Sequence, residues 1–115
     1  MYRILNWLTT GVEANPAADL SKPVSYSLAA NYPNPVQERT TVKYALPRAG
    51  NVRIAVYNVA GQKIKTLVDG AMNAGYHSVS WNGRNESGQA VSAGVYLYKM
   101  QADNFSTARK LVVVR

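Results

Sequence analysis

The stretch NVRIAVYNVAGQKIKTLV, residues 51–68, decides the fold. Val52, Ile54 and Val56 alternate with Arg53, Ala55 and Tyr57, so an extended chain puts the first three on one face and the other three on the opposite face. Ala60-Gly61-Gln62 then makes a tight reversal into residues 63–68, with glycine at the point where the backbone must leave the usual dihedral regions. Two period-two runs joined by a short turn are a β-hairpin, and no segment beyond residue 40 carries a helical period of useful length.

The same grammar extends in both directions. Residues 41–46 place Val42, Tyr44 and Leu46 on one face and Thr41, Lys43 and Ala45 on the other, until Pro47 stops the ladder because it has no N–H to donate. A turn region over residues 69–75 leads into a strand over 76–81, where His77, Val79 and Trp81 share a face. Residues 94–102 and 106–114 form the last pair, joined by a polar turn at Asp103 and Asn104. A further strand over residues 26–30 completes an all-β, seven-stranded antiparallel sandwich of immunoglobulin or fibronectin type. VYLYKMQA and KLVVV, in the last pair, are apolar on both faces. They are expected as interior strands, the alternative being an edge that awaits a partner.

A chain of 115 residues supports one core. Hydrophobic content of 47% and charged content of 17% argue against disorder, and no run approaches the roughly 18 apolar residues of a spanning helix. Residues 1–25 read as an upstream remnant and linker. Their apolar patch, broken at Asn6, is too short for a signal peptide, and residues 13–24 are rich in Ala, Asp, Asn, Ser and Pro. Residues 26–115 are the sandwich. With no cysteine, stability must come from packing. The net charge of +7 attracts anionic partners, but the Lys and Arg residues are scattered and form no nucleic-acid motif, so nucleic acid is not expected as a partner.

Chemistry has little to work with: one histidine, six acidic residues and no thiol. His77 has no partner at a catalytic spacing, and Glu13, Asp19, Glu38, Asp69, Glu86 and Asp103 are spread along the chain. The oxygen-rich loop WNGRNESG, residues 81–88, offers only Glu86 as a charge, whereas calcium takes six to eight oxygens including several carboxylates. It reads as a turn in which Asn82 and Asn85 cap backbone groups while Gly83 and Gly88 supply positive φ. The expectation is a non-enzyme without catalytic residues, metal or cofactor. Tyr44, Tyr96, Tyr98 and Trp81 lie within strands and are expected in the core; a sugar-binding module would instead expose aromatic rings on one surface.

The order YPNP, TTVKYALP, NVRIAVYNVAGQKIKTLVDG, AGYHSVSWNGRNESGQAVSAGVYLYKM and ARKLVVVR resembles the C-terminal sorting domain of proteins exported by the type IX secretion system of Bacteroidetes. It is also similar to the immunoglobulin-like domain of flagellar hook-capping proteins. Tyr32, Pro33, Asn34 and Pro35 match the family's opening, and Gly61 its hairpin turn. Trp81, Gly83 and Gly88 match its W-x-G-x-x-x-x-G loop, and Gly94, Val95 and Tyr96 its G-[VI]-Y strand. Lys110, Leu111, Val112, Val113, Val114 and Arg115 match the basic, apolar terminal strand on which export depends, at the place in the chain where that signal should end. Val36-Gln37-Glu38 and Asn82 depart from the commoner phenylalanine followed by Asn-Pro and from aspartate.

The resemblance implies passage through the periplasm to the cell surface or medium. Its implied partners are outer-membrane secretion machinery, a covalently linked upstream cargo domain and anionic lipopolysaccharide. A dimer through the terminal strand is a further expectation, and a structural, adhesive or carbohydrate-binding accessory module is the alternative. Pro33 and Pro35 are expected to turn a flexible tether into a defined lead-in, with Tyr32 packed at the sandwich edge.

Overall fold

The computed structural model describes residues 23–115, so the expected linker lies outside the described residues apart from 23–25. Seven strands follow: β1 (Ser27–Leu28), β2 (Thr40–Leu46), β3 (Gly50–Asn58), β4 (Lys63–Met72), β5 (Gly75–Trp81), β6 (Gly94–Ala102) and β7 (Phe105–Val113). They form a three-stranded sheet in the order β1-β2-β5 and a four-stranded sheet in the order β4-β3-β6-β7, with every pair antiparallel. The expected immunoglobulin-like sandwich is the fold observed.

The alternating residues meet between the sheets. Val42, Tyr44, Leu46 and Trp81 face Val52, Ile54, Val56, Tyr98, Met100, Leu111 and Val113, all of them buried. Trp81 meets Tyr96 edge-on with ring centroids 6.1 Å apart, a favoured aromatic geometry. The phenols of Tyr96 and Tyr98 donate to the carbonyls of Ser92 and Ala29, both at 2.7 Å, so these rings bury their bodies without stranding their hydroxyls. Burial pushes the Tyr98 pKa up. Ala45 and Ala55, placed by periodicity on wetted faces, are buried as well. Each is a small side chain in a middle strand, overlooked by larger neighbours across the ladder.

The 58–62 turn is built on Asn58, whose Oδ1 accepts from the N–H groups of Ala60 and Gln62 at 3.0 and 2.9 Å. Gly61, at φ 85°, completes the reversal, and β4 therefore pairs with β3. Two expected boundaries and one expected placement change. Residues 69–72 continue β4 and do not turn, since Asp69 and Ala71 keep their register with Arg53 and Asn51. The strand expected over 26–30 is regular only at Ser27–Leu28. After Ala29 N–H reaches the Lys43 carbonyl at 2.9 Å, the chain turns Asn31 inward, where its Nδ2 donates to Thr40 Oγ1 at 3.0 Å. Tyr32 then rejoins the ladder opposite Thr41, with bonds of 3.0 and 2.8 Å. Because Thr41 faces outward, so does Tyr32: its side chain is 79% exposed and does not pack at the sandwich edge.

The third change concerns the last pair. β6 is interior as expected, but β7 is an edge strand. The outward apolar residues Val95 and Leu97 on β6 are partly exposed.

A candidate recognition edge

Which backbone groups of β7 face outward follows from its end. The N–H of Val36 donates to the carbonyl of Val112 at 2.7 Å, and the N–H of Val112 donates to Asn34 Oδ1 at 3.2 Å. Val112 therefore points both its backbone groups away from β6. By the two-residue period, Lys110, Ala108 and Ser106 do the same, while Leu111, Arg109, Thr107 and Phe105 bond back to β6. The β6–β7 register runs unbroken from Gly94↔Val113 to Ala102↔Phe105. Among the described residues, no strand pairs with the outer edge of β7 between Phe105 and Leu111. Ser106, Ala108 and Lys110 are all exposed there.

The opposite edge, β4, is finished in another way. Ile54 pairs with Val68 but Ala55 with Thr66, leaving Leu67 as an extra residue; Val56 pairs with Lys65 but Tyr57 with Lys63, leaving Ile64. These are two β-bulges, which bend an edge away from straight pairing. The 81–91 loop then covers the bulged stretch. The N–H of Glu86 donates to the Ile64 carbonyl at 3.1 Å, and Glu86 Oε2 accepts from the N–H of Thr66 at 3.0 Å. The second bond, with Lys65 Nζ 3.5 Å from the other carboxylate oxygen, holds the Glu86 pKa below its ordinary value.

The six residues that match the export strand divide by role. Leu111 and Val113 are fully buried core residues, Val112 and Val114 are half-buried, and Lys110 is exposed. Arg115 is wired into the fold. Its guanidinium donates to the carbonyls of Val91 at 3.0 Å, Gly83 at 3.1 Å and Gln37 at 3.2 Å. Gly83, at φ 74°, leaves room for this clamp, for a Cβ there would lie 3.3 Å from Arg115 Nη2.

The remaining motif residues build the scaffold. Trp81 Nε1 donates to the Arg84 carbonyl at 2.9 Å. Asn82 Oδ1 caps Arg84 N–H at 3.1 Å, and Asn85 Oδ1 caps the N–H groups of Ser87 and Gln89, both at 3.0 Å. Gly88, at φ 84°, closes the same loop, and Gly94 starts β6 opposite Val113. His77 Nε2 donates to the Asn73 carbonyl at 2.8 Å, and the ring stacks on Tyr44 with centroids 5.3 Å apart.

The opening NYPNPV does more than lead in. Residues 34–36 lie along the end of β7 as a short parallel partner, fastened again by Val114 N–H to the Val36 carbonyl at 2.9 Å. The peptide bonds before Pro33 and Pro35 are both cis. Val36 is fully buried, so the valine that departs from the commoner phenylalanine still plugs the core. Sequence reading missed this latch, as it missed Arg109, whose Nε donates to the Leu28 carbonyl at 2.6 Å and closes the seam between the sheets. A lone apolar residue after Asn-Pro was the only signal for the first, and the second had none.

An immunoglobulin-like sandwich whose four-stranded sheet has one bulged, covered edge and one straight, unpaired edge is the class of domain this geometry defines. The chain belongs to the FlgD Ig-like domain family, whose sequence model matches residues 34–106 and stops inside β7. Among solved structures, it is similar to dimeric latent PorU of Porphyromonas gingivalis, with a TM-score of 0.61 and 22% identity over 74% of this chain and 9% of that one. PorZ of the same organism, described as an essential bacterial surface component of the type IX secretion system, gives 0.54 and 18% over 86% of this chain and 13% of that one. FlgD from P. aeruginosa gives 0.51 and 25% over 65% and 58%. This chain thus spans a small part of PorU and PorZ and over half of FlgD. No curated protein sequence matches it.

Proposed function

We propose that this domain is a sorting module: attached to an exported cargo protein, it is read by outer-membrane type IX secretion machinery at the outer edge of β7. The observation that carries the reading is the regular, unpaired edge at Ser106, Ala108 and Lys110, beside a β4 edge that is bulged and covered. An edge of this kind is the template for strand addition, in which backbone hydrogen bonds supply affinity. Lys110 adds a steering charge, exposed and outside the ion pairs Arg48–Asp103 and Lys65–Glu86 of the described residues. The order of motifs and the likeness in fold to PorZ and PorU support the same reading. Leu111, Val113 and Arg115 hold the strand in place, and the residues before it present it. The module has no catalytic role; the cargo reaches the surface or medium, where anionic lipopolysaccharide is its candidate anchor.

Deleting residues 110–115 is a poor test, because it removes Leu111 and Val113 from the core. Ala108→Pro is a sharper one: it deletes an N–H that no strand within the domain uses and blocks an added strand. In a host with the type IX system, a fluorescent cargo fused to this domain should reach the surface, and the Ala108→Pro fusion should stay in the periplasm while melting like the parent. Export of the proline variant at the parent level would refute read-out at this edge. Retention of the parent in a host shown to export a foreign sorting domain would refute sorting itself and favour a structural module of hook-cap type, the reading that family membership alone supports.

A further inference from the structure

The outer face of the three-stranded sheet is a second surface with chemistry of its own, independent of the β7 edge. The ladders fix it as three rows across three columns. Ser27, Ala45 and Tyr76 form the first row; Ala29, Lys43 and Ser78 the second; Tyr32, Thr41 and Ser80 the third. Tyr76 and Tyr32 stand at opposite corners, 66% and 79% exposed, with Lys43 at the centre. By strand rise and spacing their Cα atoms are separated by about 16 Å along the diagonal.

The positions between them are small or hydroxylated, which leaves two shallow grooves that meet at Lys43. One, of about 430 Å³, is lined by Ser27, Ala29, Ala45, Tyr76 and Ser78; the other, of about 440 Å³, by Ala30, Tyr32 and Thr41. No carboxylate belongs to the grid. The acidic residues described are Glu38, Asp69, Glu86 and Asp103, of which Glu86 and Asp103 are paired at other edges.

We infer that this face binds an acidic polysaccharide. Two exposed phenol rings offer flat apolar surface to the C–H faces of sugar rings, as aromatic side chains with a polar tip do at wet interfaces. Their separation suits a chain of several rings and is too wide for a single sugar. Lys43 sits where one acid group of such a chain meets its only cation on the grid, and the Ser27, Thr41, Ser78 and Ser80 hydroxyls both donate and accept, as sugar hydroxyls require. An acidic peptide would satisfy Lys43 but would leave the rings and the hydroxyl rows without a matching partner.

The test is native affinity electrophoresis of the full chain in gels containing alginate, with neutral dextran as the comparison. Alginate should retard the parent and dextran should not. The Tyr32→Ala/Tyr76→Ala variant, unchanged in net charge, should bind alginate about tenfold more weakly. Lys43→Ala should lose more binding than Lys110→Ala, which removes the same charge elsewhere. All substituted side chains are exposed, and thermal melting verifies that each variant folds. Equal retardation of the double tyrosine variant, or equal losses for the two lysine variants, would reduce the interaction to net charge and overturn the inference. Retardation by dextran as strong as by alginate would overturn its acidic part.

Discussion

The β4 and β7 edges of the four-stranded sheet start from the same backbone chemistry and are finished differently. β4 carries two bulges, and Glu86 bonds the backbone of both Ile64 and Thr66. β7 keeps an unbroken register and is held at its end, by residues 34–36 and by Arg115. Bulges and covering groups are how sheet proteins keep edges from pairing with other chains; this sheet protects one edge and leaves the other straight, and the proposed read-out rests on that asymmetry. The apolar residues Val95 and Leu97 on the neighbouring strand, exposed on the outer face, belong to the same unfinished side.

The largest expected effect separates the two strands as structural members. Leu111 is 1% exposed, so Leu111→Ala should cost about 2–5 kcal/mol by urea denaturation. Leu67, half-buried at a β4 bulge, should cost about 1 kcal/mol when cut to alanine. Equal costs would mean that the β7 edge is no better anchored than the β4 edge.

Next in size is the parity of β7. Thr107 bonds inward to β6 opposite Met100, so Thr107→Pro should destabilise by about 2 kcal/mol, leaving a buried carbonyl without its donor. At the next residue, Ala108→Pro should cost less than about 1 kcal/mol, for that N–H faces outward. Both are read from thermal melts of the isolated domain. A reversed order would place the free groups on the other parity and relocate the pairing edge.

Much of this contrast was legible in the sequence and part was not. Period-two alternation found β2, β3, β5 and β6 with their inward residues, because burial on one face leaves that pattern. It misplaced the 69–75 turn, since Gly70 and Asp69 are turn residues that a ladder can also hold when the partner strand is long enough. KLVVV was expected as an interior strand because apolar residues on both faces usually mean double burial. Here Leu111 and Val113 meet the core while Val112 and Val114 are half-buried and bond through their backbone to Val36, so a local latch stands in for a neighbouring strand. That latch joins residues up to 78 positions apart through two backbone bonds and one to the Asn34 side chain, contacts that local alternation does not encode. The Asn82 and Asn85 caps, being local, were read correctly.

Smaller still is the clamp at the end of β7. Arg115→Ala removes three hydrogen bonds to carbonyls of three segments and should cost about 1–2 kcal/mol. Arg115→Lys should recover less than half of that, since one ammonium cannot span the fork that the guanidinium fills. If lysine restores full stability, Arg115 contributes charge alone, and the end of β7 is held by residues 34–36 without it.

The other end of β7 is held by charge, and its effect is the smallest and the most dependent on pH. Asp103, in the β6–β7 turn at φ 51°, accepts from the Tyr26 hydroxyl at 2.6 Å and from Arg48 Nε at 3.1 Å. The Tyr26 bond first and the Arg48 bond second hold its pKa below the ordinary value. The folded chain therefore binds this proton more weakly than the unfolded chain does. The stabilisation is complete above the ordinary carboxylate pKa and is lost as pH falls through the depressed one. Asp103→Asn should lower the melting temperature slightly at neutral pH, and the gap to the parent should close on acidification below that depressed pKa. A gap that persists there would assign the effect to the turn conformation and not to the carboxylate, leaving β7 fastened at its latched end alone.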